Sequence, residues 1–275
     1  MMDIQDFYGI EATADPQHWR MPVVKELCSG IGALFGGCGL GAAIAVLERI
    51  TERPLVWATS QFLQFVRPPS VLELEAVELV RGHASSQARV FARVDGQEIF
   101  TVLATLGQRQ LPWSGEWAVM PDTAPPDQCA ERPLFEGHEG TIASRLEMRM
   151  ANSRPMEELD GVQGDGRSAL WLKLPEGLST GAPALAILGD WVPFGIGQAL
   201  GRLTASNSLD NTLRMVATDH PTEWILADIR IQAVTNGFGH GVVHLWAEDG
   251  TLLATASQSA ICRQWSSRPT KEKTR

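Results

Sequence analysis

The sequence is most informative first for what it does not contain. Nowhere does an apolar run approach the roughly 20 residues needed to cross a bilayer. The polar start, Met1-Met2-Asp3-Ile4-Gln5-Asp6, has neither the basic nor the apolar region of a secretory signal. A cytoplasmic protein with no membrane span is expected. Positive charge is short: 23 basic against 32 acidic residues give a net charge of -9, so nothing broad is available to neutralise phosphates and no nucleic-acid partner is expected. Only Cys28, Cys38, Cys129 and Cys262 occur, with no CxxC pair and no histidine at ligand spacing. Neither a disulfide framework nor a metal site is signalled, and no metal or other cofactor is expected. No G-x-S-x-G elbow exists for a Ser-His-Asp hydrolase. The histidines are isolated: His83 and His220 fall in turns and His240 and His244 share one strand face, where surface or packing roles are ordinary.

What is present reads as a mixed α and β chain, whose 275 residues suffice for one large or two ordinary domains. His18 to Pro22 reads as a turn or an extended entry into a first strand over Val23 to Cys28. From Gly36 to Ile50, Leu40, Ala43, Ile44, Leu47 and Ile50 recur at helical spacing in a nearly all-apolar segment, which must be wrapped by something else. Four strands follow, over 55–66, 71–80, 87–94 and 98–106. Leu72, Leu74 and Ala76 alternate with Glu73, Glu75 and Glu78, as in a sheet covered on one side, and Asp95-Gly96 is a strong hairpin turn. Residues 108–140 carry five prolines and read as an extended linker. A strand is expected over Ile142 to Met150, a loop over 152–167 and another strand over 169–174.

The first pattern then recurs. A helix over Asp190 to Leu200 takes the place of the first helix, and strands over 204–216, 223–232 and 239–247 precede a turn at Asp249-Gly250 and a last strand over 251–261. The turn and the strand after it repeat Asp95-Gly96 and its strand at a constant offset, so the chain is a duplication. Two units of one helix plus an antiparallel sheet, joined edge to edge, make an α+β double hotdog. Its divisions are an N-terminal repeat over 1–107, a linker over 108–140, a C-terminal repeat over 141–265 and a disordered tail over 266–275.

Three polar residues stand in unlikely surroundings: Asp190 in Leu188-Gly189-Asp190-Trp191-Val192, Ser206 in Thr204-Ala205-Ser206-Asn207-Ser208, and Gln258 in Ala256-Ser257-Gln258-Ser259-Ala260. Asp190 fits a helix N-cap as well as a catalyst. Taken with Phe35-Gly36-Gly37, Phe65-Val66-Arg67-Pro68 and 81–89, in this order and spacing, these segments resemble the acyl-CoA thioesterase II family, the TesB-like double-hotdog thioesterases, over nearly the whole chain. The resemblance implies an acyl-CoA substrate, a homodimer or larger assembly, and a catalytic set of Asp190, Ser206 and Gln258. Ser208, two residues on and on the same face, is an alternative hydroxyl. With Ser208, the positions Gly189, Trp191 and Gly37 are expected to bind substrate. Where the family commonly has Gly-Gly-Gln, this chain has Gly36-Gly37-Cys38.

Thioester hydrolysis needs an aimed water, a group to take its proton and donors for the oxyanion. The expected roles are Asp190 as base or water orienter, Ser206 and Gln258 as water holders, and amides at the start of the second helix as oxyanion donors. Across the duplication Asp190 matches the glycines near Gly37, Ser206 matches about Thr59 and Gln258 matches Ala104, so one centre per chain is expected. Gly37 to Ala42 also fits a dinucleotide fingerprint, but it lacks the βαβ context, and close helix packing explains the glycines better. Arg67, Arg81 and Arg89 could meet coenzyme A phosphates, although solvated strand-end arginines are commoner. A hotdog hydratase would want a histidine near the active helix, and none is there. A non-catalytic acyl-thioester binder is the third reading.

Overall fold

The computed structural model describes residues 3–135, 137–175, 177–218 and 220–265. The tail over 266–275 and Asp219 of the expected Asp219-His220-Pro221 turn lie outside the described residues.

The chain opens with α1 (Ile4–Tyr8), β1 (Glu11–Ala12) and β2 (His18–Val23). The first long strand thus lies before the expected Val23 to Cys28, within the stretch read as a turn or an extended entry. Trp19, Met21 and Val23 alternate inward along it, and Pro22 sits near its end, where β1 no longer pairs. The helix α2 (Gly36–Thr51) follows, then β3 (Leu55–Phe62), β4 (Ser70–Arg81), β5 (Ser85–Val94) and β6 (Gln97–Gly107). Beyond residue 107 the chain is extended up to a single 3-10 turn (Pro126–Gln128) and the short β7 (Ala130–Glu131). The expected strand over Ile142 to Met150 divides into one helical turn, α3 (Ile142–Arg145), and β8 (Glu147–Asn152). The hydroxyls of Thr141 and Ser144 bond the carbonyls of His138 and Thr141, a local pattern that closes a turn where apolar alternation suggested a strand.

The second repeat comprises β9 (Arg167–Lys173), α4 (Ala182–Leu188), α5 (Val192–Leu200), β10 (Thr204–Ser208), β11 (Asp210–Met215), β12 (Ile225–Thr235), β13 (Phe238–Ala247) and β14 (Leu252–Gln264). All described strands join one antiparallel sheet in the order β1-β2-β4-β5-β6-β3-β11-β14-β13-β12-β9-β8-β7, with β10 also on β14. The order β2-β4-β5-β6-β3 is mirrored by β9-β12-β13-β14-β11. The two halves meet where β3 pairs β11, with Thr59 opposite Thr212 and their hydroxyl oxygens 2.7 Å apart. Thr212, not Ser206, is therefore the counterpart of Thr59. The architecture is a double hotdog.

Each half-sheet wraps its own helix, α2 or α5. Leu40, Ile44 and Leu47 are fully buried, each worth about 2 kcal/mol in apolar area removed from water. The unforeseen helix α4 packs against α2 instead. A Cβ on Gly37 would stand 2.6 Å from the Ala186 carbonyl oxygen, and one on Gly41 would stand 2.4 Å from that of Pro183. Glycine four residues apart thus lets the two backbones touch. This packing accounts for the glycine pattern without a nucleotide.

Candidate active site

Asp190 lies between α4 and α5. Pro193 lacks an N–H and its ring would collide with the carbonyl four residues back, so one continuous helix cannot run through this point. Asp190 is not the cap of α5: the N-cap is Trp191, and no side chain caps it. Its Oδ2 instead accepts from the Gly37 amide at 2.6 Å, in the first turn of α2, so the carboxylate of the second repeat sits at the positive end of the first repeat's helix. Its Oδ1 accepts from Gln258 Nε2 and from the Ser208 hydroxyl, the latter at 3.4 Å. Gln258 Nε2 also donates to Ser208 Oγ at 3.2 Å, while its Oε1 accepts from the Val192 amide at 3.1 Å.

Asp190, Gln258 and Ser208 therefore form one hydrogen-bonded group. Ser206 does not join it: its hydroxyl bonds Thr204 Oγ1 at 3.3 Å, and it pairs with Cys262 on β14. Position along the strand explains the difference: Ser208 lies opposite Ala260, two residues from Gln258 on β14, whereas Ser206 lies opposite Cys262, four residues away.

Asp190 is 4 % exposed and Gln258 3 %. Burial raises the Asp190 pKa to about 6, against the lowering pull of the hydrogen bonds from Gln258, Gly37 and Ser208. Around the carboxylate, Gly36, Phe62 and Ser208 are partly exposed. A Cβ on Gly36 would lie 2.8 Å from Asp190 Oδ2 and 2.9 Å from the Phe62 ring, so only glycine leaves this approach open. Two clefts of about 330 and 320 Å3 lie elsewhere, beside Arg53 and Thr218 and beside Arg149 and Trp224.

The helix-start amides differ from expectation. On α5 the Val192 amide is occupied by Gln258 and Pro193 has none. On α2 the amides of Cys38 and Gly39 bond the Phe35 carbonyl and that of Gly37 bonds Asp190, which leaves Gly36 without a hydrogen bond among the described residues. Gly189 packs on the sheet, where an added Cβ would meet Ala256 at 3.0 Å. The Trp191 indole lies 6.4 Å from the rings of both Phe35 and Phe194. Cys38 is fully buried, its thiol pushed well above the usual range by burial and then by the Asp190 charge.

Two residues escaped the sequence reading. Ser60 and Asn211 are paired across the seam, each 1 % exposed, and Ser60 Oγ and both polar atoms of Asn211 lack a partner. Their inward phase, two residues from Ala58 on β3 and from Leu213 on β11, was the signal that could have found them.

Residues 126–262 match a family described as acyl-CoA thioesterase C-terminal domain. Among curated proteins none matches. A protein provisionally assigned as a thioesterase from Novosphingobium aromaticivorans DSM 12444 is 32% identical, with a TM-score of 0.79 over 90% of this chain and 96% of that one. Acyl-CoA thioesterase II TesB2 of Mycobacterium marinum (19% identity, TM-score 0.76, 96% and 99% covered) shares the fold. So does a hot dog protein of unknown function from Alicyclobacillus acidocaldarius (20%, 0.81, 95% and 98%). With its double-hotdog sheet and a near-full-length relative above 30% identity, this chain belongs to the acyl-CoA thioesterase II (TesB-like) family of thioester hydrolases.

Proposed function

We propose that the chain hydrolyses acyl-CoA to free acid and coenzyme A, with Asp190 as general base and Gln258 and Ser208 holding the attacking water. The observation that carries this reading is the buried Asp190–Gln258–Ser208 group at the first turn of α2. Water loses a proton to Asp190 as its oxygen bonds to the thioester carbon. The carbonyl oxygen gains charge beside the α2 terminus, where the Gly36 amide is the donor to spare. Collapse of the tetrahedral intermediate breaks the carbon–sulfur bond, and the proton held by Asp190 goes to the departing thiolate. A carboxylate with a pKa near 6 suits this work, because it is ionised at neutral pH yet more basic than a free one.

The first repeat offers Gly37 and Ala104 in the places of Asp190 and Gln258, so one centre per chain follows. Its contribution is the α2 terminus, and the site is incomplete without both repeats. Thiol release from a panel of acyl-CoA esters tests the reading. Asp190→Asn is expected to lower kcat by about two to four orders of magnitude, and Ser208→Ala to cost more than Ser206→Ala. Tight acyl-CoA binding without release by the wild type would overturn it in favour of a binding protein.

A further inference from the structure

Arg132 lies in the connection between the repeats, just after β7, where its amide bonds the Met148 carbonyl at 2.9 Å. Its guanidinium carbon stands 5.2 Å from the ring centre of Phe135, 5.6 Å from that of Trp191 and 5.4 Å from that of Phe194. Three aromatic faces hold the cation. Among the described residues no carboxylate pairs with it, and its side chain makes only a long contact of 3.8 Å to the Met148 sulfur. Burial pulls its pKa down to about 10. A half-buried cation held among rings, with no carboxylate on it among the described residues, is a place where an anion reaching the exposed part of the guanidinium would be favoured.

Two further buried ring nitrogens in the same cluster have no partner among the described residues. The Trp191 Nε1–H is buried without a partner on a residue 9 % exposed. His138, whose ring centre is 5.5 Å from that of Phe135, has its Nδ1 buried without one. The guanidinium and the indole N–H both donate, and no oxygen acceptor among the described residues meets either, which suits a place for an anion. The cluster also adjoins the reacting centre. Trp191 follows Asp190 in the chain, neighbouring Cα atoms are about 3.8 Å apart, and the guanidinium therefore lies within roughly 15 Å of the Asp190 Cα.

We propose that Arg132, aided by the Trp191 indole N–H, binds a carboxylate carried on the acyl group, so that the chain favours thioesters of dicarboxylic acids over those of plain fatty acids. The proposal rests on the thioesterase reading above. A planar, aromatic-walled guanidinium suits a carboxylate, which it can grip through two parallel N–H bonds. The phosphates of coenzyme A are an alternative source of negative charge. They stand at the far end of the uncharged pantetheine arm, and they would be the same in every acyl-CoA.

The test compares adipoyl-CoA with hexanoyl-CoA, equal in carbon count and differing in the terminal carboxylate. For the wild type, kcat/KM is expected to favour adipoyl-CoA. Arg132→Met should lower the adipoyl-to-hexanoyl ratio by about 10- to 100-fold, the worth of a charge-assisted hydrogen bond, mainly through KM. Arg132→Lys should retain part of the preference, and Trp191→Phe, which keeps a ring but removes the donor, should lose part of it. An unchanged ratio in Arg132→Met overturns the proposal and leaves the thioesterase reading standing. Equal losses on both esters assign Arg132 to phosphate and also overturn it. Should neither ester be cleaved, the thioesterase reading fails, and calorimetric titration with adipate and hexanoate decides: adipate binding lost in Arg132→Met supports the anion site, and equal binding of the two acids refutes it.

Discussion

Replacing Asp190 by Asn should separate stability from activity in a way that depends on pH. The folded protein holds this carboxyl at a pKa of about 6 against an ordinary 3.8. The folded state therefore binds the proton more tightly than the unfolded one. That contribution to stability is fully present below pH 3.8 and is lost as pH rises through 6, with a slope of up to about 1.4 kcal/mol per pH unit between those values. The whole effect is about 3 kcal/mol. Asparagine has no proton to lose, so Asp190→Asn should lack this component. Its own cost is local: an amide N–H2 must face either the Gly37 amide or Gln258 Nε2, both donors, for about 1–3 kcal/mol. Urea unfolding of wild type and variant from pH 4 to 8 checks this. The difference in unfolding free energy should move in the variant's favour by about 2.4 kcal/mol across that range, while thiol release falls by orders of magnitude. Parallel stability curves would refute the argument that burial of this carboxylate sets its pKa.

The same ionisation should shape the rate: kcat/KM for an acyl-CoA ester should rise tenfold per pH unit up to about pH 6 and then level, and a profile flat from pH 4 to 8 would remove Asp190 as the base. Gly41→Ala should lower the melting temperature by several degrees, because its Cβ would meet both the Tyr8 hydroxyl and the Pro183 carbonyl, with overpacking worth about 1–3 kcal/mol; an unchanged melting temperature would mean α2 and α4 are not tightly locked. Asn211→Leu should leave stability unchanged or raise it by about 1–3 kcal/mol in urea unfolding, since both polar atoms are buried without partners; a loss of that size would mean ordered water already satisfies them.

The doubled fold was legible because its signals are local and repeated. The apolar spacing of Leu40, Ile44 and Leu47 marked a wrapped helix, and the turns at Asp95-Gly96 and Asp249-Gly250 fixed the register of the two copies. Asp190 and Gln258 stood out as polar side chains in apolar settings. The choice between Ser206 and Ser208 was not legible, because both share a face and only the pairing of β10 with β14 shows that Ser208 lies nearer Gln258. The helix Ala182–Leu188 went unread because every residue in it is apolar and buried, so no helical stripe emerges. Arg132 went unread for the opposite reason. Its neighbours Trp191 and Phe194 come from the start of α5, far along the sequence, and nothing within 108–140 hints at them.

The account stands most directly on where a thioester docks. A crystal structure of Asp190→Asn with an intact acyl-CoA should place the thioester carbon beside residue 190, with its carbonyl oxygen about 3 Å from the Gly36 amide. A thioester bound in either distant cleft, or one whose carbonyl points away from the start of α2, would contradict it.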